Sequence, residues 1–307
     1  MSTNPDVSVV LGTFQLKDKL KLVLDSFAAQ TFPKDKFEVI VVDSSSTDGT
    51  SEFMKHYSAS YSLRFFSIDN KGKSTARNKG VVEAKSELVI MTDADMIAAP
   101  NFIEAHVEMH RRFSHPILVQ GKTWVLSEES LPVELFRRRP YITHSVVDGQ
   151  KLGFYYCLTG NLSLPRQVFI DSGGLDETFT GYGWEDIDLG VRLIKGNKIP
   201  LHYAEFAVND HFHVWSEAEE WNRRFKMGQS VSGVLAKHPS LKSFLGLNIF
   251  NRTLYRIVSM TALWKDITLL NPELKRADLS SFKKWMIREC FFQWGYQENQ
   301  FISENKK

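Results

Sequence analysis

The sequence predicts an α/β chain with a mostly parallel sheet flanked by helices, followed by a helical C-terminal extension. Three observations predict it. Short β-branched runs alternate with stretches of helical spacing through the first hundred residues, as in strand–helix–strand units. One of those runs, Leu88–Met91, is apolar on both faces, as a strand covered by helices on both sides must be. Beyond residue 240, apolar side chains recur at helical spacing with basic ones opposite.

The elements follow in order. Val7–Leu11 is a short apolar run, and Asp18–Gln30 places Leu20, Val23, Leu24 and Phe27 on one helical face. Phe37–Val42 is a second β-branched run, after which Ser46, Thr47, Asp48, Gly49 and Thr50 supply turn and N-cap chemistry for a helix to about Tyr57. Leu63–Ile68 reads as a strand, Thr75–Ala84 as a helix and Leu88–Met91 as the fourth strand. A helix around Phe102–Phe113 and a strand over Pro116–Val125 follow, then an irregular stretch to about Tyr155 with Pro132 and the basic run Arg137–Arg139. Asp186–Lys195 has helical spacing at Ile187, Val191 and Ile194, and Phe282–Phe292 is a second amphipathic segment of the tail. Ligands of an open parallel sheet belong at the carboxyl ends of its strands.

Composition excludes several classes. The chain has 307 residues, 43% hydrophobic and 24% charged, an ordinary globular balance. A formal net charge of +2 supplies no field for nucleic acid. Two cysteines cannot form a disulfide framework. No basic leader precedes Val7–Leu11 and no long apolar window occurs, so a cytoplasmic protein is expected. The charge is uneven, however: residues 241–307 hold eleven Lys/Arg against six Asp/Glu. That basic, aromatic tail is open to three readings: packing on the body, a peripheral contact at the inner face of a membrane, or a dimer contact.

The sharpest chemical feature is Thr92-Asp93-Ala94-Asp95, directly after the buried strand. If the extended conformation persists, Asp93 and Asp95 point to the same side and present two hard oxygen donors suited to Mg²⁺ or Mn²⁺ with a phosphorylated ligand; a solvated turn is the competing reading. Two other strands end on polar groups, one at Gly12-Thr13 and one at Asp43-Ser44, where a base and ribose could be read. The segment from Asn70 to Gly80 adds Lys71, Lys73 and Arg77 at a helix start, facing phosphates or, for the lysines, solvent. No Walker or G-x-G-x-x-G spacing is present.

These pieces together resemble the family-two glycosyltransferases. The matching residues are the first strand to Thr13, Gln30-Thr31-Phe32-Pro33, the polar run from Asp43 to Thr50, Ala76-Arg77-Asn78-Lys79-Gly80 and the Asp-x-Asp at 93–95. The resemblance implies the GT-A nucleotide-sugar fold, a divalent metal (Mn²⁺ or Mg²⁺), and donor contacts at Thr13, Asp43, Ser44, Arg77, Asp93 and Ala94. Ser44 is a departure, since many members carry a second acid or an amide there.

The second half extends the likeness. The segments Gly160–Arg166, Gly173–Glu177 and Gly181–Gly190 resemble the acceptor side of galactosyltransferase-like and chondroitin-polymerase-like enzymes. In that family the Asp of the Glu-Asp pair is the base of an inverting transfer, which falls on Asp186, with Glu185, Trp184 and Tyr182 toward the acceptor. A carboxylate suits that step, because an attacking sugar hydroxyl must lose its proton. The alternative is acid at a helix N-terminus, favourable to the dipole. His211 and His213 would share a face of a strand, and the family completes its metal site with a downstream His, which makes both candidates beside Asp93 and Asp95, His213 ahead of His211. Trp124 and Trp215 join Trp184 and Tyr182 as flat rings for sugar stacking. His106 and His110 have zinc spacing without further ligands and read as structural.

The expected function is an inverting, metal-dependent glycosyltransferase moving a sugar from a nucleotide-sugar, a UDP-sugar, to a hydroxyl acceptor in polysaccharide or glycoconjugate synthesis. Residues 1–100 would form its donor half, 101–240 its acceptor half and 241–307 the extension. A nucleotidyltransferase of similar fold is the rival enzyme, although its glycine-rich basic loop is replaced by Gly12-Thr13-Phe14-Gln15. A catalytically silent sugar-binding protein is the rival outside enzymes.

Overall fold

The computed structural model describes residues 4–126, 137–140, 142, 145–179, 181–213, 217–259 and 281–304. The chain divides into two compact units, one of Met1–Thr178 with Glu185–Val214, the other of Phe179–Trp184 with Trp215–Lys307.

The first unit begins with strand β1 (Val7–Thr13), helix α1 (Lys17–Ala28), β2 (Phe37–Asp43), α2 (Thr50–His56), β3 (Ser62–Ser67), α3 (Lys73–Glu83) and β4 (Leu88–Asp93). These strands pair in parallel in the order β3-β2-β1-β4. The two-residue period of the strands sorts their side chains. Val9, Leu11, Val39, Val41 and Ile90 meet Leu20, Val23, Leu24 and Phe27 of α1 on one face. On the other, Val10, Ile40, Val42, Val89 and Met91 meet Ala76 and Val81 of α3. Both faces of β1, β2 and β4 are dry, which is why these three strands read as apolar runs. Gly80 permits the close approach of α3, since a Cβ there would collide with the Val10 side chain.

Beyond β4 the sheet becomes mixed. Its later elements are β5 (Met96–Ala98), α4 (Phe102–Arg111), β6 (Leu118–Leu126), β7 (Arg137–Pro140), β8 (Lys151–Leu152), β9 (Asn161–Pro165), α5 (Arg166–Asp171), α6 (Glu185–Gly190) and β10 (Leu201–His211). Strand β9 inserts antiparallel between β4 and β6, and β10 lies parallel to β6 and antiparallel to β5. The mostly parallel pairing expected from the sequence therefore holds for the first four strands. Part of the stretch expected to be irregular is strand, because β7 pairs with β6 and β8 with β10; Pro132 lies outside the described residues. The helix after α6 is also not regular: Val191–Gly196 winds as a π-turn, a form common at functional sites.

The second unit contains α7 (Glu217–Lys237), α8 (Ile249–Ser259) and α9 (Ser281–Glu304). Helices α7 and α9 approach closely through two glycines. A Cβ at Gly228 would collide with the Phe292 carbonyl, and one at Gly295 with the Phe225 carbonyl. Trp221 stacks on Phe291 beside that crossing.

Candidate active site

Register alone gathers the residues expected on the donor side. In the β1–β2 pair Thr13 lies opposite Asp43, and in the β1–β4 pair Gly12 lies opposite Asp93. Three strand ends from distant parts of the chain thus share one carboxyl edge, where an open sheet binds its ligands. The polar loop after β2 is held by its own side chains. Asp43 accepts from the backbone N–H and hydroxyl of Ser46. Asp48 accepts from Lys17 N–H at 2.8 Å and from Thr50 N–H at 3.1 Å, so one carboxylate caps the starts of both α1 and α2. The buried Thr13 hydroxyl has no hydrogen-bond partner among the described residues. Ser44 is buried, its N–H donating to the Thr13 carbonyl. Ala94 is fully buried, its methyl in the core.

Asp93 and Asp95 go separate ways. The chain does not stay extended after β4 but turns at Ala94 and Asp95 into β5, which aims the two carboxylates at different partners. Asp93 pairs with the Arg77 guanidinium, whose side chain is only 5% exposed. Glu185 at the start of α6 faces the same guanidinium at 3.9 Å. Arg77 is therefore a buried cation ringed by acids rather than an open phosphate ligand. Burial disfavours its charge, but Asp93, Asp186 and Glu185 outweigh that and raise its pKa.

Asp186 is the unusual member of this group. Burial pushes its carboxyl up from the ordinary 3.8 to about 6, and the charges of Glu185 and Asp93 push the same way, against Arg77 and a hydrogen bond from Thr159. The Thr159 hydroxyl donates to Asp186 Oδ1 at 2.7 Å and is fully buried. Sequence reasoning missed Thr159, which stands just before the Gly160–Arg166 segment with no signal of its own.

Asp95 builds a second cluster. Its Oδ2 lies 3.3 Å from His211 Nε2 at the end of β10 and 3.9 Å from His213 Nδ1. One ligand atom from each of the three residues falls within 4.8 Å of the others. The pair β5–β10 enforces this, as the Phe212 N–H donates to the Asp95 carbonyl at 2.7 Å. Burial would raise the Asp95 carboxyl, but His211, His213 and Lys19 hold it below its usual range, so it is ionised as a ligand must be. One carboxylate and two imidazoles converging in this way fit a divalent cation. Both histidines join, where the sequence ranked His213 first.

The rings expected on the acceptor side fare differently. Trp184 has a left-handed backbone, φ 82°, and is 6% exposed, its indole N–H donating to the Met227 carbonyl and the Ser230 hydroxyl of α7. Its ring packs edge-on to Phe292, so it offers no open stacking face. Tyr182 is half-buried and its carbonyl accepts from Ser230. Trp124 is half-buried with the Lys122 ammonium over its ring, and Trp215 lies outside the described residues. Lys71 and Lys73 are exposed.

Two motif residues, Asn78 and Asp188, tie elements of the fold together. Asn78 donates to Leu175 O and Glu177 Oε1 and accepts from Leu175 N–H, tying α3 to the Gly173–Glu177 segment. Asp188 anchors Arg192 at 2.8 Å, and Arg192 caps the carbonyls of Ser172 and Gly174. His106 and His110 are structural as expected, joined through the Ser163 hydroxyl. Burial drives His106 down to about 3 and His110 to about 4, so both are neutral core groups.

The chain resembles known proteins over most of its length. The profile of glycosyl transferase family 2 matches residues 8–157, and that of the N-terminal domain of galactosyltransferase matches residues 142–207. The chain is 30% identical over 82% of its length to validoxylamine A glucosyltransferase of Streptomyces hygroscopicus subsp. limoneus, of which it spans 61%. It is 30% identical to a putative glycosyltransferase, EpsE, of Bacillus subtilis, covering 94% of that protein. The mannosyltransferase PcManGT from Pyrobaculum calidifontis, solved with GDP-Man and Mn²⁺, superposes with a TM-score of 0.62 over 97% of this chain and 88% of its own, at 18% identity. At that identity the likeness is one of GT-A fold.

Proposed function

Because this chain belongs to glycosyltransferase family 2, we propose that it is an inverting, metal-dependent transferase that moves a sugar from a UDP-sugar to an acceptor hydroxyl in saccharide or glycoconjugate synthesis. The observation that carries this reading is the Asp186 carboxyl, held by the buried Thr159 hydroxyl at 2.7 Å in a cluster with Glu185, Asp93 and Arg77, where burial pushes it up to about 6. A base with a pKa just below neutrality is ionised at pH 7 and still accepts a proton readily.

Thr13, Asp43 and Ser44 would hold the nucleoside on the shared strand edge. Asp95, His211 and His213 would hold Mn²⁺ or Mg²⁺, which when bound neutralises diphosphate charge. Arg77 keeps three carboxylates together and fixes Asp93 and Glu185 at the reacting sugar. Thr159 occupies Asp186 Oδ1, leaving Oδ2 to take the acceptor proton. The acceptor oxygen then bonds to the anomeric carbon while the bond to the diphosphate breaks, its electron pair leaving with the nucleoside diphosphate. A single displacement of this kind inverts the anomeric centre.

The test is a thermal-shift panel of UDP- and GDP-sugars with Mn²⁺, followed by donor consumption with the matching sugar. A UDP-sugar should raise the melting temperature by mass action, and the joint change His211→Ala with His213→Ala should abolish the Mn²⁺-dependent part. No shift with any nucleotide-sugar would refute donor binding. A shift with GDP-sugars alone would overturn the UDP assignment.

A further inference from the structure

Among the described residues, helix α8 carries its large exposed apolar side chains on one outer face. Its inner side is fastened to α9: the Asn251 amide donates to Glu289 Oε1 at 3.0 Å, and Gln293 donates to the Gly246 carbonyl at 2.7 Å, just ahead of the buried Leu247. The opposite side carries large apolar groups in water. Ile249 is 82% exposed, Phe250 69% and Ile257 59%, with Phe244 at 51% in the turn before the helix. Advancing 100° per residue, Ile249, Thr253, Ile257 and Phe250 fall within one quarter to one third of the circumference, and Arg252 and Arg256 flank them on one side. Both arginines are exposed, as is Lys242 in the preceding turn. Between Leu241 and Ser259 the sequence has these three cations and no acid.

A groove of about 480 Å³ opens beside this face, lined by Lys242, Leu247, Asn248, Ile249, Phe250 and Arg252. Its cations sit next to apolar side chains, the arrangement that receives an anionic headgroup above and acyl chain below. A soluble anion alone would leave the isoleucines and phenylalanines unexplained. A second copy of the chain fits poorly, because a twofold contact through this face would bring like charges together. Among the described residues no helix is long and apolar enough to cross a membrane, so attachment by this face would be interfacial.

We propose that the outer face of α8, with the Lys242–Leu247 turn, docks on an anionic lipid bilayer surface. The apolar side chains enter the headgroup boundary and Lys242, Arg252 and Arg256 meet lipid phosphates. The inference is independent of the transferase reading, since it uses none of the residues assigned to donor, metal or acceptor.

The test is cosedimentation of the full chain with vesicles of phosphatidylcholine alone and of an equimolar phosphatidylcholine–phosphatidylglycerol mixture. Binding should occur to the mixed vesicles, weaken with added salt and be at least about tenfold lower on pure phosphatidylcholine. Phe250→Ser with Ile257→Ser should lower partitioning at least about tenfold. Arg252→Gln with Arg256→Gln should lower it by a similar factor on mixed vesicles, at about fivefold per charge. Both pairs lie on the surface, and unchanged melting temperatures will show that they fold. Equal binding to both vesicle types, no binding to either, or binding indifferent to both pairs would overturn the proposal. So would a dimer in size-exclusion chromatography that Phe250→Ser with Ile257→Ser converts to monomer, since the face would then join two copies.

Discussion

Replacing Asp186 by asparagine should destroy activity and stabilise the protein at the same time. The carboxyl is raised from 3.8 to about 6 by burial and by Glu185. A carboxyl whose folded pKa exceeds its unfolded value binds its proton more tightly when folded. The folded state is therefore favoured below pH 4, and that advantage is lost as the pH rises through 6. Carrying the charge at pH 7 costs about 3 kcal/mol of folding free energy at 1.36 kcal/mol per pH unit, and about 1–3 once neighbours relax. Asparagine keeps the shape and an oxygen for the Thr159 hydroxyl but carries no charge. Asp186→Asn should thus melt several degrees higher at pH 7, and the difference should shrink as the pH falls toward 4. Transfer should drop at least about 10²-fold, because no base remains, while the thermal shift given by donor is retained. The assays are thermal unfolding between pH 4 and 8 and donor turnover at pH 7. Near-normal turnover, or a variant less stable than the parent at pH 7, would refute the reasoning.

Two neighbours of Asp186 carry further predictions. Thr159→Val removes a hydrogen bond to the ionised carboxylate, worth roughly 1.5–3 kcal/mol, so the acid limb of the turnover profile should move up from near pH 6 by about one pH unit or more, with the rate restored at pH 9; Thr159→Ser should keep the parent profile, and a uniform loss at every pH would point to misfolding instead. Arg77→Met strips three carboxylates of their buried counter-charge and should cost roughly 3–5 kcal/mol in urea unfolding, so unchanged stability would show that Arg77 does not hold the cluster.

Much of the site was legible because strand ends are local features. The runs ending at Thr13, Asp43 and Asp93 could be placed on one edge from alternation alone, and the parallel register bears this out. Partner choice was not legible. Arg77 and Asp93 looked like separate phosphate and metal ligands, yet they form one ion pair between a buried guanidinium and a partly exposed carboxylate, because a buried guanidinium must find a counter-charge. Trp184 looked like a stacking ring, but its indole serves α7 and α9. Thr159 left no trace, since a hydroxyl between motifs gains meaning only from what stands 27 residues away.

The sequence by itself determined the α/β class, the carboxyl edge as the place of chemistry, and the acids and histidines available there. Spacing encodes those directly, through the periods of strand and helix. Only the tertiary structure decided how the acids divide. The turn at Ala94 sends Asp93 to Arg77, and the β5–β10 pairing delivers Asp95 to His211 and His213. It also decided which face of α8 is left to water. These outcomes depend on contacts between residues far apart in the chain, which no local pattern specifies.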